Sequence, residues 1–201
     1  MAVARKPVEP TFSARMTVAE FLEWNDGDDE ARYQLIDGEP RAMAPTTMTY
    51  GILQATVGRL VGNHFAAVGT RCHVVAAPGV QPRVRAKHNY RIPDLGVTCA
   101  PDQPGQRTVP DTILLIEILS PSNERDTWQN VWAYTSIPSV QEILVLHVAE
   151  IAAELLRRQA DGNWPDQPER IEAGSTLLLE SIGFRIAVAD LYAGTHLAQS
   201  A

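Results

Sequence analysis

The chain has 201 residues, with 17 basic and 24 acidic side chains, a formal charge of −7, and 45% hydrophobic against 20% charged residues. A chain of this size and composition buries enough apolar surface to hold a core without disulfide or metal, and it is neither disordered nor collagenous. The acidic balance excludes a protein that coats nucleic acid by bulk charge, although locally placed basic residues can still serve a nucleic-acid enzyme.

No apolar run approaches the roughly eighteen residues of a membrane span, and the N-terminus has basic residues without the apolar segment of a secretory signal. The expectation is a cytoplasmic protein with no membrane partner. Cys72 and Cys99 lie in apolar, strand-like stretches without metal-site spacing and read as buried small hydrophobes. Residues 1–15 read as a flexible N-terminal tail and residues 16–201 as a single α/β domain.

Thr17 opens a helix signal, TVAEFLEW, in which Thr17 and Glu20 form a capping box, and NDGDDE ends it. RYQLIDGEPRAMAP reads as two short strands joined at Asp37-Gly38. From about Thr47 to Ala67, Leu53, Val57, Leu60, Val61 and Phe65 recur at steps of three and four and form one helical stripe. Gly51, Gly58 and Gly62 inside that helix imply close packing on a sheet or a partner. His64, at the border of the stripe, reads as a partly buried, hydrogen-bonded histidine. CHVVAAPG, GVQPRVR, RIPDLGVTCA and DTILLIEILS then read as extended segments. Ser122 or Asn123 can cap a following helix that must end before Pro138. VQEILVLHV and IAAELLRRQ read as two further strands, and the C-terminal part as a last strand or two with a short helical end.

Two carboxylates interrupt apolar strands: Asp94 at the head of one, and Glu117 in the middle of ILLIEIL. If the strands are neighbours, both side chains reach one spot, where two carboxylates share a proton or hold a divalent cation. A strand-end Asp capping a turn and a Glu paired with an Arg explain the same residues without chemistry. The loop RVRAKHNY holds the densest basic cluster, Arg83, Arg85, Lys87, His88 and Arg91, and reads either as a phosphate contact or as a solvated hairpin tip. Arg125, Arg157 and Arg158 read as surface or salt-bridge residues. Trp128 and Trp132, four apart, read as a packing face before a base-stacking platform.

Tyr33-Gln34-Leu35-Ile36-Asp37-Gly38-Glu39, Met43-Ala44-Pro45, Ile92-Pro93-Asp94, and Ile116-Glu117-Ile118-Leu119-Ser120-Pro121-Ser122 followed by Asp126 and Tyr134 resemble the Uma-type putative restriction endonuclease family of the PD-(D/E)xK nuclease superfamily. The resemblance runs in order over about residues 16 to 192. It implies a restriction-endonuclease-like core, a mixed central β-sheet flanked by helices, with Asp94 and Glu117 as ligands of Mg²⁺ or Mn²⁺ and DNA as substrate. The chain departs from the family pattern at three polar positions. Gln34 stands where the family has Glu, Tyr50 where it has an early helix His, and Asn130 where it has the active-site Lys. Asp126, Asn130 and Tyr134 form one helical stripe. Only two lysines occur, Lys6 and Lys87, and Lys6 lies in the tail, so Lys87 is the lysine that can migrate into the role.

The resemblance therefore implies a metal-dependent endonuclease with a variant site. Asp94 and Glu117 hold the metal, Asn130, Gln129 or Lys87 positions the water, and Arg83, Arg85 and Lys87 contact nucleic acid. Two alternatives stay open: a catalytically impaired nuclease-fold module that binds nucleic acid or a protein, and a hydrolase of unrelated substrate such as a glycosidase built on the carboxylate pair. A homodimer fits the pairing of active sites common in restriction-type nucleases.

Overall fold

A computed structural model of the chain describes residues 15–25 and 32–199. The expected tail, apart from Arg15, and most of the NDGDDE segment lie outside the described residues. Helix α1 (Val18–Asn25) starts at the expected capping box: Thr17 N donates to Glu20 Oε2 at 2.7 Å and Glu20 N to Thr17 Oγ1 at 3.3 Å. The hairpin β1 (Tyr33–Ile36) and β2 (Glu39–Ala42) turns at Asp37 and Gly38, with φ of 51° and 85°. That pair of left-handed residues matches the twist of the strands. Together α1 and the hairpin bury Val18, Phe21 and Leu35 against Tyr90.

Helix α2 (Met48–Val68) begins at Thr47, whose hydroxyl accepts from Tyr50 N, and stops at Gly69 in the left-handed conformation. It lies on a six-stranded sheet of order β3-β4-β5-β6-β7-β8. The strands are β3 (His73–Ala76), β4 (Leu95–Thr98), β5 (Thr112–Leu119), β6 (Glu142–His147), β7 (Ala152–Arg157) and β8 (Glu169–Glu172). β5 and β6 run parallel and the other pairs antiparallel, so the sheet is mixed. The parallel pair is joined through helix α3 (Glu124–Tyr134), the crossover that a parallel connection requires.

The alternation along β5 assigns its two faces. Leu114, Ile116 and Ile118 pack with Leu53, Val57, Val61 and Phe65 of α2, while Leu115 and Leu119 pack with Val131 and Tyr134 of α3. This is the strand covered on both faces that its apolar run implies. The α2 layer is completed by the hairpin β9 (Thr176–Leu179) and β10 (Phe184–Ala187) and by the short helix α4 (Val188–Leu191). A β-carbon on Gly58 or Gly62 would stand 3.6 Å from Leu95 or 3.7 Å from Val74, so two of the three α2 glycines rest on the sheet.

Three expectations are corrected. Cys72 and Cys99 are not buried apolar thiols: they are joined by a disulfide. Their positions, one residue before β3 and one after β4, continue the pair His73–Thr98. GVQPRVR is not a strand. Gly79 and Val80 form isolated bridges to Thr108 and Arg91, and a β-carbon on Gly79 would stand 1.6 Å from the Tyr90 hydroxyl, so Gly is required there. The rest bends into a 3-10 turn at Ala86–His88. Asn123 precedes α3 as expected, yet its side chain turns back to accept from Ser120 N at 2.7 Å and does not cap the helix.

Candidate active site

β4 and β5 pair antiparallel with Leu95 opposite Ile116, and one further step of that register sets Asp94 opposite Glu117. Both residues are 5% exposed. Asp94 is gripped from two elements: the Tyr50 hydroxyl of α2 donates to Oδ1, and Ile118 N of β5 donates to Oδ2 at 2.6 Å. Gln54, one turn after Tyr50, donates to the Asp94 backbone oxygen at 2.8 Å. Glu117 Oε1 accepts from the Tyr134 hydroxyl of α3 at 2.7 Å.

Burial pushes the Asp94 carboxyl up, and the bonds from Tyr50 and Ile118 oppose that shift. Burial pushes Glu117 well above the ordinary carboxylate range, and the Asp94 charge adds to it. In the metal-free protein the pair therefore retains a proton to higher pH than two solvated carboxyls would. Tyr50 and Tyr134 are raised by burial and by the same carboxylates, so both stay protonated and donate.

Behind Glu117 lies a layer of amides around one cation. Arg91 is 4% exposed. Its Nη1 donates to Asn130 Oδ1 at 2.7 Å and its Nη2 to Asn89 Oδ1 at 3.1 Å. With its oxygen committed to Arg91, Asn130 turns its NH₂ toward Gln34, whose Oε1 accepts at 3.4 Å, and toward Glu117. Gln34 and Asn130, 96 residues apart in sequence, thus meet in one contact. Asn89 also donates to Asp37 Oδ1 at 3.1 Å, and Arg85 donates to Asp37 Oδ2 at 2.5 Å.

The structure brings together Asp94, Glu117, Gln34, Tyr50, Asn130 and Tyr134 and leaves other candidates outside. Asp126, expected on the Asn130 stripe, is exposed and lies 3.9 Å from the exposed Arg125. Lys87 is exposed on the 3-10 turn, and Arg83 is exposed beside it with its backbone N donating to Ser136 Oγ. Arg85 is half exposed in its ion pair with Asp37. Trp128 packs on the α3-side core, whereas Trp132 is exposed. His64 donates to the Ile182 carbonyl at 2.9 Å, as a structural histidine does. Sequence reasoning missed Gln54 and Asn89 and left Arg91 inside a generic basic cluster. Gln54 was findable, since it lies four residues from Tyr50 on one helix face.

The donor set suits a hard divalent cation. The two facing groups are carboxyl oxygens that ionise as a cation enters, and among the described residues neither makes a direct ion pair with Lys or Arg. No cluster of three or more His, Cys, Asp and Glu residues suited to a metal occurs among the described residues. A cation here would therefore rest on two carboxylates, which Mg²⁺ accepts by keeping waters in its remaining positions.

The sequence matches the model of the family Uma2, described as a putative restriction endonuclease, over residues 18–189. The crystal structure of a putative nuclease belonging to DUF820 from Anabaena variabilis superposes with a TM-score of 0.68 at 16% identity, covering 88% of this chain and 97% of that one. No curated protein gives a significant match. The structural likeness carries the fold, the mixed sheet flanked by helices that the sequence implies. No helix among the described residues is long and apolar enough to cross a membrane.

Proposed function

The chain belongs to the Uma2 family of putative restriction endonucleases, and from that premise we propose that it is a divalent-cation-dependent endonuclease hydrolysing DNA phosphodiester bonds at Asp94 and Glu117. One observation carries the reading: two buried carboxylates face each other across neighbouring strands, oriented by donors yet with no cation in direct ion-pair contact among the described residues, Arg91 standing beyond Asn130. Two such groups are costly to keep together unless a proton or a cation lies between them.

Asp94 and Glu117 would hold Mg²⁺ or Mn²⁺, which supplies an acidified water and neutralises charge on a phosphoryl oxygen. Tyr50 and Ile118 N fix the Asp94 carboxylate, and Tyr134 fixes that of Glu117. Asn130 offers N–H donors for a water or a phosphate oxygen and brings no charge. It cannot act as the base, because a carboxamide is not basic, and its oxygen is in addition engaged by Arg91. The exposed Arg83 and Lys87 make backbone phosphate contacts outside the buried site, with Arg85 at its margin on Asp37.

The test is calorimetric titration of Mn²⁺ and Mg²⁺ into the wild type and Asp94→Ala, followed by incubation of both with plasmid DNA. Metal binding and nicking that disappear together in the variant support the reading. A folded wild type that takes up neither cation would sink it.

A further inference from the structure

A guanidinium carries a permanent charge and five N–H donors in a fixed fork. Two half-buried arginines elsewhere in this molecule spend theirs on a carboxylate or on backbone carbonyls. Arg157 bonds Glu142 and the Leu178 carbonyl, and Arg158 bonds the carbonyls of Val140, Gly162, Thr135 and Ile137. Arg91 is different. It is buried, its acceptors are the neutral carboxamide oxygens of Asn130 and Asn89, and its Nε is a buried donor with no partner among the described residues. No described carboxylate makes a hydrogen bond or ion pair with it; Asp37, Glu117 and Asp126 reach it only through longer-range attraction.

A buried guanidinium with an unpartnered N–H and only neutral atoms in hydrogen-bond contact is costly, although Asp37, Glu117 and Asp126 act on its charge at longer range, and a ligand that bonds the free N–H offsets that cost. Its position says which ligand. Asn130 stands between the guanidinium and Glu117, its oxygen toward Arg91 and its NH₂ on the Glu117 side. A cation-attracting carboxylate pair and an anion-attracting guanidinium thus lie on opposite sides of one amide, as a group bearing both a metal-bound and a free oxyanion requires.

We infer that Arg91 is a phosphate-binding residue, receiving a non-bridging oxygen of the backbone phosphate through its uncommitted N–H groups. It is the fixed positive charge of the site, a role for which the sequence offers Lys87 as the lysine able to migrate into it. The identity of the anion as a nucleic-acid phosphate rests on the nuclease reading; the anion site itself does not. Arg and phosphate make short, charge-assisted, often bidentate hydrogen bonds, so a single buried Arg gives a measurable anion response.

The probe is inorganic phosphate, titrated against the thermal midpoint of the wild type, Arg91→Gln and Arg91→Lys, with chloride at matched ionic strength to remove the general salting effect. Phosphate is expected to raise the wild-type midpoint by about 2–4 °C more than that of Arg91→Gln. Arg91→Lys, which keeps the charge without the fork, should fall between. If Arg91→Gln does not melt cooperatively, Arg91→Lys carries the test, and its phosphate response should be at most about half that of the wild type. Equal responses in wild type and variant would overturn the inference.

Mn²⁺ calorimetry on the same proteins separates this result from the nuclease reading. A wild type that answers phosphate through Arg91 but takes up no Mn²⁺ upholds the anion site and removes the nuclease. One that binds Mn²⁺ but answers phosphate no differently from Arg91→Gln keeps the metal site and removes the role of Arg91.

Discussion

Two glutamates are buried on adjacent strands of the central sheet, and their surroundings are opposite. Glu142, at the start of β6, is 1% exposed. It accepts from Arg157 Nε at 2.8 Å, Glu180 N at 3.1 Å, Ser181 N at 2.8 Å and Ser181 Oγ at 2.6 Å. Its charge is balanced by a cation and both its oxygens are occupied, so it ties β6 to the turn after β9. Glu117, on β5, has one tyrosine donor, an amide and a second carboxylate facing it. Burial alone does not mark a functional carboxylate. A buried carboxylate left uncompensated inside a fold that compensates its neighbour does.

Removing each glutamate should therefore act in opposite directions. Glu142→Ala strips four donors of their acceptor and leaves Arg157 without its buried partner, and urea unfolding is expected to show a loss of roughly 3 kcal/mol or more. Mn²⁺ uptake should survive wherever the variant is folded. Glu117→Gln keeps an oxygen for Tyr134 and turns an N–H toward Asp94, so it resembles the protonated form of the native side chain. In metal-free buffer at pH 8 it is expected to be more stable than the wild type, because the amide removes the buried negative charge beside Asp94, while Mn²⁺ binding by calorimetry is lost. A destabilised Glu117→Gln would place Glu117 in the same structural class as Glu142.

The same contrast shows what was legible in the sequence. Glu117 was visible because it breaks an all-apolar run, and Asp94 because a Pro-Asp pair heads the preceding strand. Their meeting needed only the neighbouring order of β4 and β5. Glu142 sits at the boundary of a loop and a strand, where a Glu is ordinary, and its partners lie 15, 38 and 39 residues away. No local pattern announces such a tie. Arg91 failed for the opposite reason. The run RVRAKHNY looked like one basic loop, but the isolated bridge of Arg91 to Val80 turns that one side chain inward while Arg83, Arg85 and Lys87 stay outside. The cysteines were misread because the disulfide depends on β3 and β4 being paired in a particular register, which neither strand states by itself. The helices and most strands were legible because their periodicity or apolar runs are local.

Changing pH sharpens the comparison without mutation. The folded-state pKa values of Asp94 and Glu117 lie above their ordinary values of 3.8 and 4.5, so between the unfolded and folded values the native state binds more protons than the unfolded chain. The stability these groups contribute is complete below pH 4 and is lost as pH rises through the folded values. In metal-free wild type, the stability difference relative to Glu117→Gln should decline from about pH 5 upward, at no more than about 1.4 kcal/mol per pH unit for one proton. Urea melts of both proteins from pH 5 to pH 8 read this difference directly and cancel the titration of surface groups common to both. A flat difference would mean that Glu117 titrates as a solvated carboxyl does, and its uncompensated state would be disproved.

The smallest expected effect separates orientation from charge. The Tyr134 hydroxyl is the donor that favours the ionised form of Glu117, opposing burial and the Asp94 charge. Tyr134→Phe removes that oxygen without changing the ring packed among Leu115, Val131 and Ile143. At pH 5, where Glu117 is held protonated, the cost should be under about 1 kcal/mol, that of one neutral hydrogen bond. At pH 8 it should be larger, up to about 1–2 kcal/mol, to the extent that Glu117 ionises and the carboxylate loses its charge-assisted donor. Urea melts at the two pH values measure the increment. The sign follows from linkage: the variant raises the folded pKa of Glu117 further, so its native state retains the proton over a wider range and its stability goes on falling with pH where that of the wild type has levelled off. An equal cost at both values would show that the hydroxyl serves packing alone, and that Glu117 is positioned by the amide of Asn130 instead.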